Sequence, residues 1–236
     1  RAAGNYGLGD YANNVPSFRS ETSQTTVAAE RGTAAALRSF HVNKSYYNPA
    51  TTYRPWAKPA GMAITATPAV TTSADSFPNA SPTAAPNNPI RNTGVRNLTV
   101  DNTQEATWRY CSALNPRSGC ASTTATRTFF PATYFHFTGA VDANILNRDN
   151  YQRVEIRSTI PTYVGHGRGN RTDCANAAAA TCTYAEEIQN FANWYTYYRS
   201  RMLASQAGIG TAFSSQPEEM RVGFGSINQG STSVDG

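Results

Sequence analysis

The chain is poor in charged residues, in large aliphatic side chains and in long apolar runs. Charged residues make up 15% of its 236 residues, and Leu, Ile, Val and Phe together number 35. No apolar stretch approaches the roughly 18 residues of a membrane-spanning helix, so we expect no membrane span. Disorder usually combines low hydrophobicity with high charge and few aromatics. Here aromatics reach 11% and the net charge is only +5, which favours a folded chain with a core of Tyr, Phe and Ala.

Lysine is nearly absent, and the positive charge is dispersed. Only Lys44 and Lys58 accompany the arginines among the 20 basic residues. No run of five basic residues occurs, so a surface for nucleic acid or anionic lipid is not indicated. The first residues, Arg1–Tyr6, contain neither an initiator Met nor a signal peptide. We therefore expect the chain to be a mature or trimmed piece of a longer protein.

Catalytic and cofactor-binding motifs are also lacking. The sequence contains no nucleophile elbow, no phosphate-binding loop, no dinucleotide fingerprint and no zinc-protease pair of histidines. His41, His136 and His166 lie far apart in the sequence, and His136 is predicted to be a packed or edge residue of an aromatic strand. Glycine at every second position of 165–169 is typical of a flexible exposed loop. We expect no enzyme activity, no catalytic residue, no metal ligand and no cofactor, although a site assembled from distant residues leaves no motif.

The four cysteines form two close pairs in the sequence. Cys111 and Cys120 bracket eight residues, and Cys174 and Cys182 bracket seven. An even count with short, turn-rich intervals favours two local disulfides. Zinc is the alternative, but it is usually bound by cysteines two to four residues apart. Disulfides persist in oxidising compartments, so we expect a periplasmic or extracellular protein.

The strongest secondary-structure signal is a helix over 186–213. Thr183 and Glu186 have the spacing of a capping box at its start. Alternating apolar residues then predict a strand over 220–227, after Pro217 has ended the helix. Five helix residues are expected to pack on that strand. The apolar positions that share one helical face are Ile188, Phe191, Tyr195, Tyr198, Met202, Ile209 and Phe213, and the five expected in the interface are Phe191, Tyr195, Tyr198, Met202 and Ile209.

The rest of the chain is predicted to be rich in strands and loops. Aromatic and Thr-rich residues predict a strand over 126–138, interrupted or edged at Pro131, and alternation predicts another over 151–160. A short helix is predicted within 26–38. Residues 65–93 have no apolar period and should be irregular.

Several segments of the sequence resemble one known family. The segment from Cys182 to Met202 is similar to the PilC/PilY family of type IV pilus tip proteins, and 221–225 continues the similarity. Upstream, 46–49 with 53–56, and Phe130–Tyr134, also resemble this family. The resemblance extends over 46–56 and 126–236.

The resemblance implies a fold and a division of the chain. In this family the N-terminal region resembles a von Willebrand A domain, a doubly wound α/β sheet. The resemblance therefore implies a mixed α/β chain, in which 184–213 is the first helix and 220–228 is the second strand of that domain. Residues 1–183 would be a large, disulfide-bearing insertion, and 184–236 would begin the domain proper. The family's D-x-S-x-S metal motif is absent from the sequence, so we expect no complete metal site.

The resemblance also implies a role at the bacterial surface. We expect an adhesion or pilus-assembly protein, located on the pilus after passage through the periplasm. Expected partners are minor pilins or other pilus subunits, and a host or abiotic surface. The alternative is a structural secreted subunit of a filament or surface layer without an adhesive role, and a secreted hydrolase is a more distant one.

Without a metal site, binding would depend on exposed aromatic and Arg residues or on protein contacts. The aromatic and proline-rich loop 46–56 supplies the candidates for a binding surface, Tyr46, Tyr47, Tyr53 and Trp56. The alternative is that these four side chains pack inside the protein, since large aromatic residues are often buried.

Overall fold

The computed structural model describes most of the middle of the chain. The described residues are 32, 35–57, 76–86, 89, 95–110, 113–114, 117–118 and 121–214. Between 104 and 127 only the backbone is described. Within these residues, no helix is both long enough and apolar enough to cross a membrane.

Two nine-residue strands form the longest antiparallel pair of the described structure. Strand β1 (Asn102–Tyr110) pairs antiparallel with β4 (Ala121–Phe129), from Asn102 opposite Phe129 to Tyr110 opposite Ala121. Between them, the two-residue strands β2 (Ala113–Leu114) and β3 (Arg117–Ser118) pair with each other. The Thr-rich sequence of β4 suits a strand, because β-branched side chains fit the pleated backbone.

Two shorter antiparallel pairs follow. Strand β5 (Thr133–Phe137) pairs with β6 (Tyr151–Glu155), and β7 (Thr162–Val164) pairs with β8 (Thr181–Thr183). Pro131 separates β4 from β5, as the sequence predicted, and the strand predicted over 151–160 ends at Glu155. All strands in the described part of the chain precede its two long helices.

Helix α1 (Tyr184–Tyr197) begins where the sequence predicted. The Thr183 hydroxyl accepts a hydrogen bond from the Glu186 backbone N–H at 3.3 Å, and the Glu186 carboxylate accepts one from the Thr183 N–H at 2.7 Å. This capping box satisfies two amide groups that the helix cannot pair itself. The helix start is therefore confirmed.

The sequence predicted one unbroken helix over 186–213, and the resemblance implied one over 184–213. That prediction is wrong, because the structure has two helices here. α1 ends at Tyr197, and a second helix, α2 (Arg201–Ser214), begins after a short break. Tyr198 leaves the helical conformation with φ −134°. The Ser200 hydroxyl accepts the Leu203 N–H at 3.3 Å, which is an N-cap for α2.

The break changes which side chains the second helix buries. Leu203 and Ala207 are its buried residues. Met202, Ile209 and Phe213 are 73%, 57% and 46% exposed. The prediction that Met202 and Ile209 are buried is therefore wrong, because the chain breaks between the two helices and α2 buries Leu203 and Ala207 instead.

The core is built around α1 from aromatic side chains. Ten of the eleven residues from Glu187 to Tyr197 are buried, and Gln189 is the exception. The loop 45–57, strand β5 and the segment 77–80 supply their partners. Phe191 and Tyr195 are buried as predicted, at 1% and 4% exposure, and Tyr198 is partly buried. The described residues therefore form a mixed α/β structure with a Tyr- and Trp-rich core.

Other predicted elements are only partly described. Residues 35–37 are helical, which fits the end of the short helix predicted within 26–38. The described residues 76–86 form no helix or named strand, as predicted for an irregular segment, although Ser76 and Ala85 make single bridges to Ala57 and Arg96. The predicted strand 220–227, extended to 228 by the resemblance, lies outside the described residues. The division at 183/184 stays a prediction.

Candidate functional site

The predicted binding surface in the loop 46–56 is largely buried. Tyr46, Tyr47 and Trp56 are 2%, 0% and 6% exposed, and Tyr53 is partly buried. The prediction that these aromatics form an exposed surface is therefore wrong, and the packed alternative holds. Tyr47 lies 4.9 Å from Phe191 between ring centres, and burial raises the pKa of Tyr53 to about 12.

Two asparagines of α1 hold this loop in place. The Asn190 side chain accepts the Tyr53 N–H at 2.7 Å and donates to the Thr51 carbonyl at 2.9 Å. Asn193 donates to the Tyr53 carbonyl at 3.0 Å and accepts the Ala80 N–H at 3.0 Å. Each asparagine side chain thus forms hydrogen bonds with backbone groups of the loop, in the way that a neighbouring strand does in a β-sheet. The irregular loop can be buried because α1 supplies these partners.

A buried cluster of charged residues lies at the first turn of α1. Glu187 is fully buried and forms ion pairs with both Arg168 and Arg171, whose side chains are 1% and 0% exposed. Arg168 donates to both carboxylate oxygens, Nη2 to Oε1 at 2.7 Å and Nε to Oε2 at 3.1 Å. Arg171 donates from Nη1 at 3.1 Å, and the Tyr47 hydroxyl donates at 2.9 Å. Glu187 is therefore fully occupied by protein donors.

Asp173 supplies the second negative charge of the cluster. Arg171 donates Nε and Nη2 to its two oxygens, both at 2.6 Å, and the Thr52 hydroxyl donates at 2.7 Å. Burial raises the pKa of Asp173, but the hydrogen bonds from Arg171 and Thr52 outweigh it and hold the pKa below its ordinary value. Two arginines and two carboxylates give no net charge, which fits burial of paired charges.

The residues 165–169 are only partly the exposed loop that the sequence predicted, since Gly167 and Gly169 are exposed but Arg168 is buried. Gly165, His166 and Gly167 all have positive φ, at 73°, 53° and 81°, and the chain then forms a 3-10 helix over Arg168–Asn170. A side chain at position 167 would meet the Ala50 Cβ at 2.6 Å, so glycine is required there. This turn carries Arg168 into the core and leaves His166 at its edge.

The three histidines, distant in sequence, meet on one side of the fold. The rings of His136 and His166 stack at 3.7 Å between centroids, with planes 12° apart. His41 stacks on Phe137 at 4.1 Å. All four line a single cleft. His136 is half-buried in strand β5, as predicted for a packed or edge residue, but no local pattern predicted its contact with His166.

A hydrogen-bond chain links the charged cluster to this cleft. Arg168 donates from Nη2 to the Tyr134 hydroxyl at 2.8 Å, and that hydroxyl lies 3.0 Å from His166 Nδ1. Burial lowers the pKa of His166 to about 4, and the nearby His136 and Arg168 charges act in the same direction. Burial also lowers the pKa of His136. The His166 imidazole is thus neutral at pH 7.

Cys174 and Cys182 form a disulfide, with Cα atoms 5.1 Å apart. Their sulfurs and a Glu186 carboxylate oxygen lie within 4.8 Å of one another, but a disulfide has no thiolate to bind a metal. Glu186 is also engaged by the backbone N–H groups of Ala175 and Thr183, at 2.8 and 2.7 Å. Cys111 and Cys120 lie outside the described residues, so their disulfide stays a prediction.

Sequence reasoning missed most of the residues that organise this region. The missed residues are Tyr134, Arg168, Arg171, Asp173, Glu187, Asn190 and Asn193. Asn190 and Asn193 could have been found, because they interrupt the apolar pattern of α1 three residues apart. The Arg–Glu pairing joins segments 16 to 19 residues apart and leaves no local pattern.

Similar curated proteins are named type IV pilus biogenesis factor PilY1 in Pseudomonas aeruginosa. The protein of strain PAO1 is 44% identical over 68 residues, which is 28% of this chain. That of strain PAK is 31% identical over 101 residues, or 43% of this chain. That of strain UCBPP-PA14 is 49% identical over 39 residues, or 16% of this chain. The matches show that part of this chain is similar in sequence to PilY1 proteins.

The matched segments are short relative to these PilY1 proteins. They cover 6% of the PAO1 and PAK proteins and 3% of the UCBPP-PA14 protein. No family model matches the chain, and no solved structure matches it. The relationship thus rests on sequence identity in part of the chain.

Proposed function

We propose that this chain is part of a type IV pilus-associated protein that acts in adhesion or pilus assembly by binding proteins or surfaces. The observation that carries the proposal is the 44% identity over 68 residues to a type IV pilus biogenesis factor. The Cys174–Cys182 disulfide supports it, because such bonds persist outside the cytoplasm. The proposed location is the cell surface or pilus, reached through the periplasm.

The proposed role is non-catalytic and needs no cofactor. Its support is the way the buried charged cluster is used. Glu187 accepts hydrogen bonds from Arg168, Arg171 and Tyr47, and Asp173 accepts from Arg171 and Thr52. Carboxylates that are saturated by protein donors hold the fold together and are poorly placed to move a proton of a substrate.

The strand pair formed by β1 and β4 supports a binding role. Each strand has nine residues, and within the described part of the chain neither pairs with a third strand. Unpaired strand edges are templates for added strands, and β-augmentation is a common way to bind partners. Minor pilins or other pilus subunits are the proposed protein partners, and a host or abiotic surface is the proposed target of adhesion.

We also propose the von Willebrand A-like arrangement that the resemblance implies. In it α1 corresponds to the first helix, 220–228 to the second strand, and 1–183 to an insertion before that helix. The position of all described strands before α1 is compatible with such an insertion. The break between α1 and α2 means that the first helix would be shorter than the sequence suggested.

An in-frame deletion in the bacterium that encodes the chain tests the function. The deletion should remove the segment and leave the remainder of its gene in frame, and surface pili and attached cells are then counted. Loss of pili would indicate assembly, whereas loss of attachment with normal pili would indicate adhesion. Normal pili together with normal attachment in the deletion strain would contradict the proposal.

A further inference from the structure

The histidine-lined cleft is small, aromatic and lined by basic side chains. It has a volume of about 200 Å³ and lies between the segment 39–49, strand β5 and the turn at His166. Sites that enclose a drug-sized molecule usually measure about 300–1,000 Å³. This cleft therefore has room for one or two side chains or for a small organic molecule. Phe40, Phe137 and Tyr134 supply apolar wall surface.

Every ionisable side chain of the lining, other than the two tyrosines, is a base. These bases are His41, Lys44, His136 and His166, and no Asp or Glu is among the described residues that line the cleft. The Lys44 ammonium lies 4.6 Å from the centre of the Phe40 ring. Its exposed side chain has no carboxylate partner among the described residues. A cation beside aromatic walls favours an anionic ligand with an apolar part.

The hydrogen-bond chain behind the cleft orients one imidazole as a donor. Arg168 has only donor groups, so the Tyr134 oxygen must accept from it. The single Tyr134 proton can then be donated to His166 Nδ1, which lies 3.0 Å away. In that arrangement neutral His166 carries its own proton on Nε2 and can donate it to a ligand. Since Glu187 fixes Arg168 from the other side, the donor is held in place before any ligand arrives.

We propose that this cleft binds a carboxylate attached to a small apolar body. The carboxylate would accept hydrogen bonds from the histidines and interact with Lys44, and the apolar body would contact Phe40 and Phe137. An acidic peptide segment and a free organic acid share this chemistry. The inference goes beyond the proposed pilus function and does not depend on it.

Protonation of the histidines should strengthen such binding. The charged and titratable groups around the stacked pair are Arg168 beneath it, His41 and Lys44 on the segment 39–49, and Tyr134 on β5. Of these groups, Arg168 is paired with the carboxylate of Glu187. A bound anion would favour the protonated imidazoles, so lowering the pH should favour the complex as long as the carboxylate, with an ordinary pKa of about 4, stays ionised.

Imidazole NMR spectra of the 236-residue chain test the proposal. The probes are benzoate and the blocked dipeptide acetyl-Phe-Glu-amide, each compared with its neutral counterpart, benzamide and acetyl-Phe-Gln-amide. Saturable shifts of the His136 and His166 resonances are expected with the carboxylates. Affinity for the neutral probes should be about tenfold lower, the factor that corresponds to one charge-assisted hydrogen bond. Tighter binding of the dipeptide would indicate a peptide ligand, and tighter binding of benzoate a free acid.

Matched variants test where the probe binds. Lys44→Gln should weaken benzoate binding about threefold, which is the scale of one partly exposed ion pair. Arg201→Gln removes the same charge from an exposed position outside the cleft and should leave binding unchanged. Equal effects of the two variants, equal affinity for charged and neutral probes, or no saturable shift would each overturn the proposal. If zinc chloride shifts the His136 and His166 resonances and benzoate does not, the proposal is also overturned, in favour of a metal site.

Discussion

Arg168 and Glu187 form a two-point ion pair in the interior of the protein. Arg168 Nη2 lies 2.7 Å from Oε1 and Nε lies 3.1 Å from Oε2, and the two side chains are 1% and 0% exposed. The pair connects the turn that carries His166 to the first turn of α1. Its two parallel bonds fix orientation as well as distance.

Loss of the Glu187 charge should strongly destabilise the fold. Glu187→Gln leaves Arg168 and Arg171 buried with one carboxylate, that of Asp173. Removing one partner of a buried ion pair typically costs about 3–5 kcal/mol, and we expect this loss in the free energy of unfolding, measured by urea titration.

Glu155→Gln is the matched control for this substitution. Glu155 pairs with Arg153 and Arg157 nearer the surface, where its side chain is 22% exposed. Ion pairs near the surface contribute about 0–1 kcal/mol, so this variant should unfold close to the wild type. Similar losses in the two variants would contradict the buried role of Glu187.

Alanine substitutions should separate two apolar positions that the sequence grouped together. Phe191 is 1% exposed and Met202 is 73% exposed. Phe191→Ala should reduce the free energy of unfolding by about 3–5 kcal/mol because it empties a packed site. Met202→Ala should change it by less than about 0.5 kcal/mol. A large loss for Met202→Ala, measured by the same titration, would mean that α2 is covered in solution.

His166 should titrate at unusually low pH. Burial, together with the nearby His136 and Arg168, lowers its pKa to about 4. His136→Phe keeps an aromatic neighbour but removes one charge, so the pKa of His166 should rise and still remain below about 6.5. Proton NMR of the imidazole Cε1–H checks this, and an unchanged pKa in the variant would show that His136 has no electrostatic influence.

The same titration predicts how stability depends on pH. The pKa of His166 is lower in the folded protein than in the unfolded chain, so the unfolded chain binds the proton first as pH falls. This histidine therefore lowers stability progressively between about pH 6.5 and pH 4. His136→Phe should weaken that dependence, and urea titrations at several pH values measure it.

The disulfide between Cys174 and Cys182 should stabilise the loop between β7 and β8. Its sequence separation is 8, and a closed loop of this size contributes about 2–3 kcal/mol in the chain-entropy model. Replacing both cysteines by alanine should lower the free energy of unfolding by that amount. If reduction of the wild type and the double substitution both leave stability unchanged, the bond contributes nothing.

Local signals in the sequence correctly located several elements. The capping box at Thr183 and Glu186 gave the start of α1, and Pro131 gave the separation of β4 and β5. The end of α1 was missed because the apolar spacing continues in phase across Tyr198. The only local signal of the break is Ser200, whose hydroxyl caps α2, and serine also occurs inside helices.

The burial of the loop aromatics could not be read from composition. Whether Tyr47 and Trp56 face water depends on the polar partners that α1 provides for an irregular backbone. Trp56 Nε1 donates to the Tyr197 carbonyl at 3.0 Å, and Tyr47 donates to Glu187. Each contact spans at least 140 residues of sequence. The stacked histidines were missed for the same reason, since separate segments bring them together.

Immunogold electron microscopy of the encoding bacterium tests the central claim most directly. Antibodies raised against the 236-residue chain are applied to intact piliated cells, and cells that lack the segment serve as the control. The account predicts gold particles on type IV pili, concentrated at their tips, and none on the control cells. Specific labelling of another surface structure, with pili unlabelled, would contradict it.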